Sequence, residues 1–160
     1  MAFDMFLHLE GIEGESVDKE HANKIRVLAW SWGVSNSGTA HLGRGAGSGK
    51  ADFQDISVTK YVDKASIALL KFVSDGGHIE KGELIVRKAG GTPLTYLKIE
   101  MKDIMVTSLS TGGAGGEDLL TENITLNFAE FRVTYTLQEK DGSPGASPDF
   151  GYSIAENAAK

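Results

Sequence analysis

In several short segments of this chain, apolar residues recur at every second position, and polar or glycine-rich stretches separate these segments. In residues 3–9, for example, Asp4 and His8 interrupt a run of apolar side chains. A period of two places the apolar side chains on one face of a β-strand. The same pattern predicts further strands at residues 25–35, 53–61, 83–88, 94–101, 104–109, 121–137 and 150–154.

One segment, residues 63–75, has the spacing of an amphipathic helix instead. Asp63 or Ser66 can cap its start, and Gly76 and Gly77 end it. Its apolar residues are Ala65, Leu69, Phe72 and Val73. A single helix among many alternating strands predicts a mainly β fold, either a barrel or a sandwich with the helix packed on one side. We see no internal repeat or domain boundary, so we predict one domain over residues 1–160.

The composition excludes several classes of function. The formal net charge of −6 argues against nucleic acid as a partner, because such proteins need a basic surface. The absence of cysteine excludes disulfides and thiolate chemistry, and it suits a reducing cytoplasm.

No apolar run approaches the ~20 residues of a membrane span, so we expect no membrane insertion. We also expect no cleaved signal peptide, because the first residues lack a basic region and a long apolar run.

No segment carries a recognisable catalytic or metal-binding pattern. Residues 43–50 resemble a phosphate-binding loop, but Arg44 replaces its first glycine and Ala51 its hydroxyl residue. The four histidines lack metal-ligand spacing, and Glu117 and Asp118 with Glu122 do not form a separated acid pair. We therefore predict that the chain is not an enzyme and that it needs no metal or cofactor.

The strand predicted at residues 25–35 has two different faces. Trp30 and Trp32 lie on a bulky face with Arg26, Leu28 and Val34, which favours core packing over a stacking platform for a ligand. The other face begins with Ile25 and Val27 and continues with small residues, namely Ala29, Ser31, Gly33 and Ser35. Small, weakly polar side chains are typical of a barrel wall that faces a wet lumen.

Two glycine-rich loops interrupt the strands, at residues 37–50 and 111–116. Ordering many glycines costs conformational entropy, so we expect the first loop to become ordered against a partner.

Together these segments closely resemble the Hcp family (haemolysin-coregulated protein), the tube protein of bacterial type VI secretion. The resemblance runs from end to end, through residues 1–7 (MAFDMFL), 14–16 (GES), 27–35 (VLAWSWGVS), 59–64 (TKYVDK), 87–91 (RKAGG), 110–118 (STGGAGGED), 120–128 (LTENITLNF) and 150–152 (FGY). It implies a compact β-barrel of two sheets with one flanking helix at about residues 64–75. Arg44, which interrupts the glycine run, and Ile67, where many relatives have proline, depart from the family pattern.

The resemblance also implies a function. Family members form hexameric rings that stack head to tail into a hollow tube, which a contractile sheath expels behind a spike. The tube lumen can hold and protect small effector proteins. The implied partners are thus the chain itself, sheath proteins, a spike protein and effectors, and the implied route leads from the bacterial cytoplasm to the outside or into a target cell.

The resemblance assigns roles to three groups of residues. The small face, Ala29, Ser31, Gly33 and Ser35, lines the channel. The loop at 37–52 grips the next ring, through Thr39, His41, Leu42, Arg44, Gly47 and Lys50. The second loop lies at a ring edge or contacts a neighbouring subunit, through Gly112, Gly113, Gly116, Glu117 and Asp118. The alternative is a soluble ligand-binding barrel for sugars or peptides that uses Trp30 and Trp32.

We expect replacement of Gly47 by tryptophan to weaken ring stacking more than ring closure, because a large side chain obstructs a close contact between loops. Negative-stain microscopy would then show single rings at protein concentrations where the unaltered chain forms stacks. Loss of the rings themselves would contradict the assignment.

Overall fold

The computed structural model describes residues 3–38, 50–89 and 93–160. Their backbone is mainly β, as predicted, with one α-helix among the described residues. The strands are β1 (Phe3–Leu9), β2 (Ile25–Ser31), β3 (Val34–Asn36), β4 (Ala51–Phe53), β5 (Ile56–Tyr61), β6 (His78–Lys88), β7 (Leu94–Gly112), β8 (Thr121–Tyr135), β9 (Asp149–Ser153) and β10 (Ala158–Ala159), with α1 (Ala65–Asp75) between β5 and β6.

Six strands form a closed barrel. They are hydrogen-bonded in the order β8-β5-β2-β1-β6-β7, and β7 pairs back onto β8. All of these pairs are antiparallel. β9 and β10 extend the sheet from β8, and β3 and β4 form a separate two-stranded ribbon. Closure gives each of the six strands a neighbour on both sides, which leaves no free edge in the barrel.

Alternating residues fill the barrel interior. The fully buried side chains include Leu7, Leu9, Ile25, Ile56, Leu84, Ile99, Met101, Ile104, Ile124 and Leu126. Trp32, Phe53, Phe128 and Phe131 extend this core as an aromatic cluster, with the Trp32 and Phe131 ring centroids 4.9 Å apart. α1 packs mainly against β7 and buries Ala65 and Leu69 in the core.

The boundaries of α1 follow the predicted signals. The Asp63 carboxylate accepts a hydrogen bond from the Ala65 N–H at 3.0 Å, and the Ser66 hydroxyl accepts one from the Asp63 N–H at 3.0 Å. At the other end, Gly76 has a φ of 69° and donates its N–H to the Phe72 carbonyl. A left-handed residue at this position suits glycine and stops the helix.

Several strand predictions differ from the structure. The strand predicted at residues 53–61 breaks at Gln54 and Asp55 into β4 and β5. The strand predicted at residues 25–35 breaks at Trp32 and Gly33 into β2 and β3. The strands predicted at residues 94–101 and 104–109 are one continuous strand, β7, in which Asp103 takes a positive φ of 53°. β6 begins at His78 rather than Glu83, because the polar N-terminal half still pairs with β7.

A lysine is buried where β5, α1 and β8 meet. The Lys60 side chain is fully buried, and its ammonium group lies 2.5 Å from the Glu122 carboxylate and 3.0 Å from that of Asp63. It also donates to the Ser66 hydroxyl at 3.2 Å and to the Tyr61 carbonyl at 2.9 Å. Because a buried charge is tolerated only when it is paired and hydrogen-bonded, this network fixes the start of α1 against the barrel.

We expect Lys60→Met to destabilise the fold by about 3–5 kcal/mol, because it leaves the buried Glu122 carboxylate without its counter-ion. The double variant Lys60→Met with Glu122→Leu should recover most of that loss. Urea unfolding monitored by tryptophan fluorescence measures both free energies. A double variant less stable than the single one would contradict this view of the pair.

Candidate assembly surfaces

A β-bulge in β2 decides which of its residues face the solvent. The pairing of β2 with β5 shifts register between Val27 and Ala29, so Leu28 is the extra residue. Ile25 and Val27 are buried before the bulge, whereas Ala29 and Ser31 are exposed after it. The prediction that these residues share one face was therefore wrong, because a one-residue bulge exchanges the two faces of a strand.

Beyond the bulge, the two tryptophans turn toward the interior. Trp30 and Trp32 are half-buried and pack against the core, as predicted. The Trp32 indole N–H donates to the Gln54 carbonyl at 2.8 Å. These contacts engage the indole rings within the domain, which weakens the alternative of a ligand platform built on Trp30 and Trp32.

Ala29 and Ser31 belong to a surface of small polar side chains that crosses four strands. Strand register places the members in two rows. The first row is Ser31, Ser57, Thr125 and Ser108, and the second is Ala29, Thr59, Asn123 and Ser110. All are exposed or half-buried, and none carries a charge. We call these two rows the polar wall.

Hydrogen bonds connect neighbouring side chains of the polar wall. The Thr59 hydroxyl donates to the Asn123 side-chain oxygen at 2.6 Å, and the Ser108 and Thr125 hydroxyls lie 2.6 Å apart. Thr107, a bulged residue of β7, lies 2.7 Å from the Thr125 hydroxyl and donates to Asp55 at 2.6 Å. The contacts between strands hold these short side chains in place and keep the surface smooth.

A different part of the outer surface, where β1, β6, β7 and β8 lie side by side, is charged instead. One row across these strands is His8, Glu83, Glu100 and Arg132, and the next holds Lys81, Lys102 and Glu130. We call these rows the charged wall. They line a cleft of about 540 Å³, and Lys102 lies 3.4 Å from Glu130 across β7 and β8. The barrel thus presents two chemically different surfaces on different stretches of its strands.

The structure separates the four residues predicted to line a channel. Ala29 and Ser31 are on the polar wall. Gly33 is half-buried between β2 and β3, where a Cβ atom would lie 3.2 Å from the Gln54 side chain. Ser35 is exposed in the β3–β4 ribbon. The other members of the polar wall were not predicted from the sequence, because their common surface depends on register between distant strands.

The first glycine loop leaves the barrel on the β3–β4 ribbon. Asn36 pairs with Ala51 at the end of this ribbon, and Lys50 beside it is exposed. The predicted stacking residues Thr39, His41, Leu42, Arg44 and Gly47 lie outside the described residues.

The second loop connects β7 to β8. Gly112 ends β7 opposite Thr121, and the Glu117 N–H donates to the Ala114 carbonyl at 3.1 Å. A Cβ atom on Gly113 would collide with the Leu120 side chain, so this position requires glycine or a shift of that side chain. Gly116, Glu117 and Asp118 are exposed. The predicted contact residues therefore share one accessible hairpin end.

Nothing in the described part of the chain suggests a metal centre or a membrane-crossing helix. Among the residues with described positions, no three His, Asp or Glu side chains are arranged to hold a metal ion. No helix in residues 3–38, 50–89 and 93–160 is long and apolar enough to cross a bilayer.

The two faces of β2 can be distinguished by stability. We expect Ser31→Lys to change the free energy of unfolding by no more than about 0.5 kcal/mol, because Ser31 is exposed. Val27→Lys, at the buried position directly before the bulge, should cost about 3 kcal/mol or more, because it buries an unpaired charge. Urea unfolding compares the two, and an equal loss in both variants would contradict the bulge.

Comparison with known proteins identifies the family. A family described as "Type VI secretion system effector, Hcp" matches residues 6–135. The chain is 50% identical to the protein hcp1 of Pseudomonas aeruginosa over 159 residues, which covers 98% of each chain. Its fold matches a solved structure of Hcp1 from Salmonella typhimurium with a TM-score of 0.84 and 34% identity, over all of both chains.

Two further solved structures agree. A type six secretion system protein matches with a TM-score of 0.93 and 30% identity, over 99% of this chain and all of the other. A type VI secretion system effector from Yersinia pestis matches with a TM-score of 0.78 and 33% identity, over 94% of this chain and all of the other. The family consists of secreted, structural tube proteins rather than enzymes. From the match over residues 6–135 and the identity to hcp1, the chain belongs to the Hcp family of type VI secretion proteins.

Proposed function

We propose that this chain is the subunit of a type VI secretion inner tube. Copies form hexameric rings, the rings stack head to tail, and sheath contraction expels the tube behind its spike. The chain is made in the bacterial cytoplasm and leaves it by this route. The observation that carries the proposal is the polar wall, which gives a barrel of this family one surface suited to line a channel.

The polar wall suits a channel because of its chemistry. Its side chains are short and uncharged, so they leave the channel open and do not attract ions or proteins of one charge sign. Hydroxyl and amide groups also remain hydrated, which keeps the channel filled with water. The charged wall, by contrast, is suited to the outside of the ring, where mixed charges favour solubility and an electrostatic contact with the sheath.

Ring closure requires a contact between two different surfaces of adjacent subunits. Such a heterologous contact produces a closed ring when the rotation that relates one subunit to the next is a whole-number fraction of a full turn. To persist in dilute solution, each contact should bury roughly 1,000 Å² or more. The exposed end of the β7–β8 hairpin, with Glu117, Asp118 and the exposed Leu119, is our candidate for one side of this contact.

Stacking is assigned to the loop that the β3–β4 ribbon carries. The ribbon pairs Val34 with Phe53 and Asn36 with Ala51, so it fixes where the loop leaves and rejoins the domain. We expect this contact to be weaker than ring closure, because the tube assembles on demand and dissociates after release.

The proposed cargo is a small folded effector protein. A surface of hydroxyl groups offers hydrogen bonds to many protein surfaces, but each bond to a hydrated hydroxyl adds only about 0.5–1.5 kcal/mol. Binding of this kind retains cargo inside a ring while allowing its release after delivery.

The absence of cysteine provides a direct test. A single Ser31→Cys substitution allows a maleimide–gold cluster to be attached to the polar wall, and negative-stain class averages locate the gold. We expect six-fold rings with gold density in the central channel, because Ser31 is exposed on the surface that we assign to the lumen.

The matched control is His8→Cys, an exposed position on the charged wall. Its gold should lie at the outer rim of the ring. Rings whose Ser31→Cys label lies at the rim would contradict the lumen assignment. A chain that remains monomeric at micromolar concentration would instead favour the ligand-binding alternative.

A further inference from the structure

Residues 13–24 form a strap across the outer surface of β1 and β6. Its two ends are hydrogen-bonded to each other, through the Gly14 N–H and the Asn23 carbonyl at 2.7 Å and through the Asn23 N–H and the Ser16 carbonyl at 2.8 Å. Asn23 takes a positive φ of 64°. A Cβ atom on Gly14 would lie 2.5 Å from the Lys24 carbonyl oxygen, so glycine is required for this close approach.

The middle of the strap is held by an arginine of β6. The Arg87 guanidinium binds both oxygens of the Asp18 carboxylate, at 3.0 and 2.6 Å, and lies 3.1 Å from Asp4 of β1. These hydrogen bonds from Arg87 hold the pKa of the Asp18 carboxyl far below its usual range. Because charge-assisted, bidentate pairs are strong, this anchor persists in acid that protonates ordinary carboxyl groups.

The other anchor of the strap is a histidine. His21 is 9% exposed, and its ring centroid lies 4.7 Å from that of Phe6, a buried residue on the outer side of β1. Its Nδ1 atom lies 2.9 Å from the Lys24 ammonium group. An ammonium group has only donors, so Nδ1 accepts and the ring is neutral, with its proton on Nε2. That Nε2 atom is buried without a hydrogen-bond partner among the described residues.

Protonation of His21 is incompatible with this arrangement. A proton on Nδ1 would face the Lys24 ammonium group, so the 2.9 Å contact would be lost. Burial, followed by the charges of Lys24 and Arg87, lowers the pKa of His21 below 6.5, although Asp18 and Glu20 oppose this effect. Several charged or titratable groups surround the ring. The strap contributes Asp18, Glu20 and Lys24, β6 contributes Glu83 and Arg87, and β7 contributes Lys98. Asp4 of β1 belongs to the same group because it is paired with Arg87.

We propose that the strap is a pH-sensitive latch, whose end at residues 21–24 detaches from β1 in mild acid while the Asp18–Arg87 anchor and the barrel stay in place. Because the pKa of His21 is lowered in the closed latch, its neutral ring stabilises the closed form relative to the open one. This contribution is fully present above pH 6.5 and is lost as the pH falls below that value. The Asp18 anchor is lost only in much stronger acid, so the two anchors release in separate pH ranges.

Release of the latch would remove His21 from Phe6 and from the neighbourhood of Ile85, so these two residues, which are buried outside the main core, would become more exposed. If the proposed tube is correct, both residues lie on the same surface as the charged wall, so acid would add an apolar patch to the outside of the assembly. This consequence rests on the proposed function, whereas the latch itself does not.

Hydrogen exchange with mass spectrometry or NMR tests the latch after correction for the intrinsic pH dependence of exchange. Between pH 7.5 and 5 we expect the opening constant at the Asn23 amide to rise up to about thirty-fold, since pH 5 is 1.5 units below the ordinary pKa of 6.5 and each unit contributes tenfold. Amides within β5 and β8 should not change. This measurement is independent of oligomeric state, so it is separate from any test of the tube.

His21→Phe keeps a ring against Phe6 but cannot acquire a charge, so it should abolish the pH dependence at Asn23. His8→Gln, which removes an exposed histidine of β1, should leave the pH dependence intact. In the unaltered chain, the NMR titration midpoint of His21 should lie below 6.5 and coincide with the loss of strap protection. Unchanged protection down to pH 5, a midpoint at or above 6.5, or full pH dependence in a folded His21→Phe variant would overturn the proposal.

Discussion

Closure of the barrel by the pairing of β7 with β8 is the constraint on which the other features depend. β7 pairs with β8 from Leu97 opposite Tyr135 to Gly112 opposite Thr121, while part of it also pairs with β6. This long antiparallel pair joins the two ends of the strand order, so the six strands enclose one apolar core. Because the side chains that point into the barrel form this core, the side chains that point outward do not have to be apolar. They form two different surfaces, the polar wall and the charged wall.

Those two chemistries occupy different parts of the same strands. The N-terminal part of β8 carries Asn123 and Thr125 on the polar wall, whereas its C-terminal part carries Glu130 and Arg132 on the charged wall. Bulges adjust this arrangement, as at Leu28, where the shift of register turns Ala29 and Ser31 outward and the tryptophans inward. The buried Lys60–Glu122 pair ties the start of β8 to β5, and the Ser66 hydroxyl of α1 donates to the same Glu122 carboxylate. These contacts support the hairpin that we assign to subunit contact.

The fold class, α1 and most strand positions could be predicted, since they depend on local periodicity and on caps such as Gly76. The bulge at Leu28 could not, because no glycine or proline marks it, and the polar wall could not, because register between distant strands is a tertiary property. Burial of Lys60 had a usable signal: it follows Ile56 and Val58 at a spacing of two and therefore shares their inward face. The strap anchors, which join Asp18 to Arg87, again depend on contacts distant in sequence.

The central claim is that the polar wall faces the axis of a closed ring. A cryo-EM reconstruction of the purified assembly, at a resolution that separates the strands, tests it most directly. We expect β2, β5 and the adjoining parts of β7 and β8 to surround the channel, with Ser31, Ser57 and Thr125 directed toward the axis. A channel lined by His8, Glu83 and Glu100, or a purified chain that forms no ring, would contradict it.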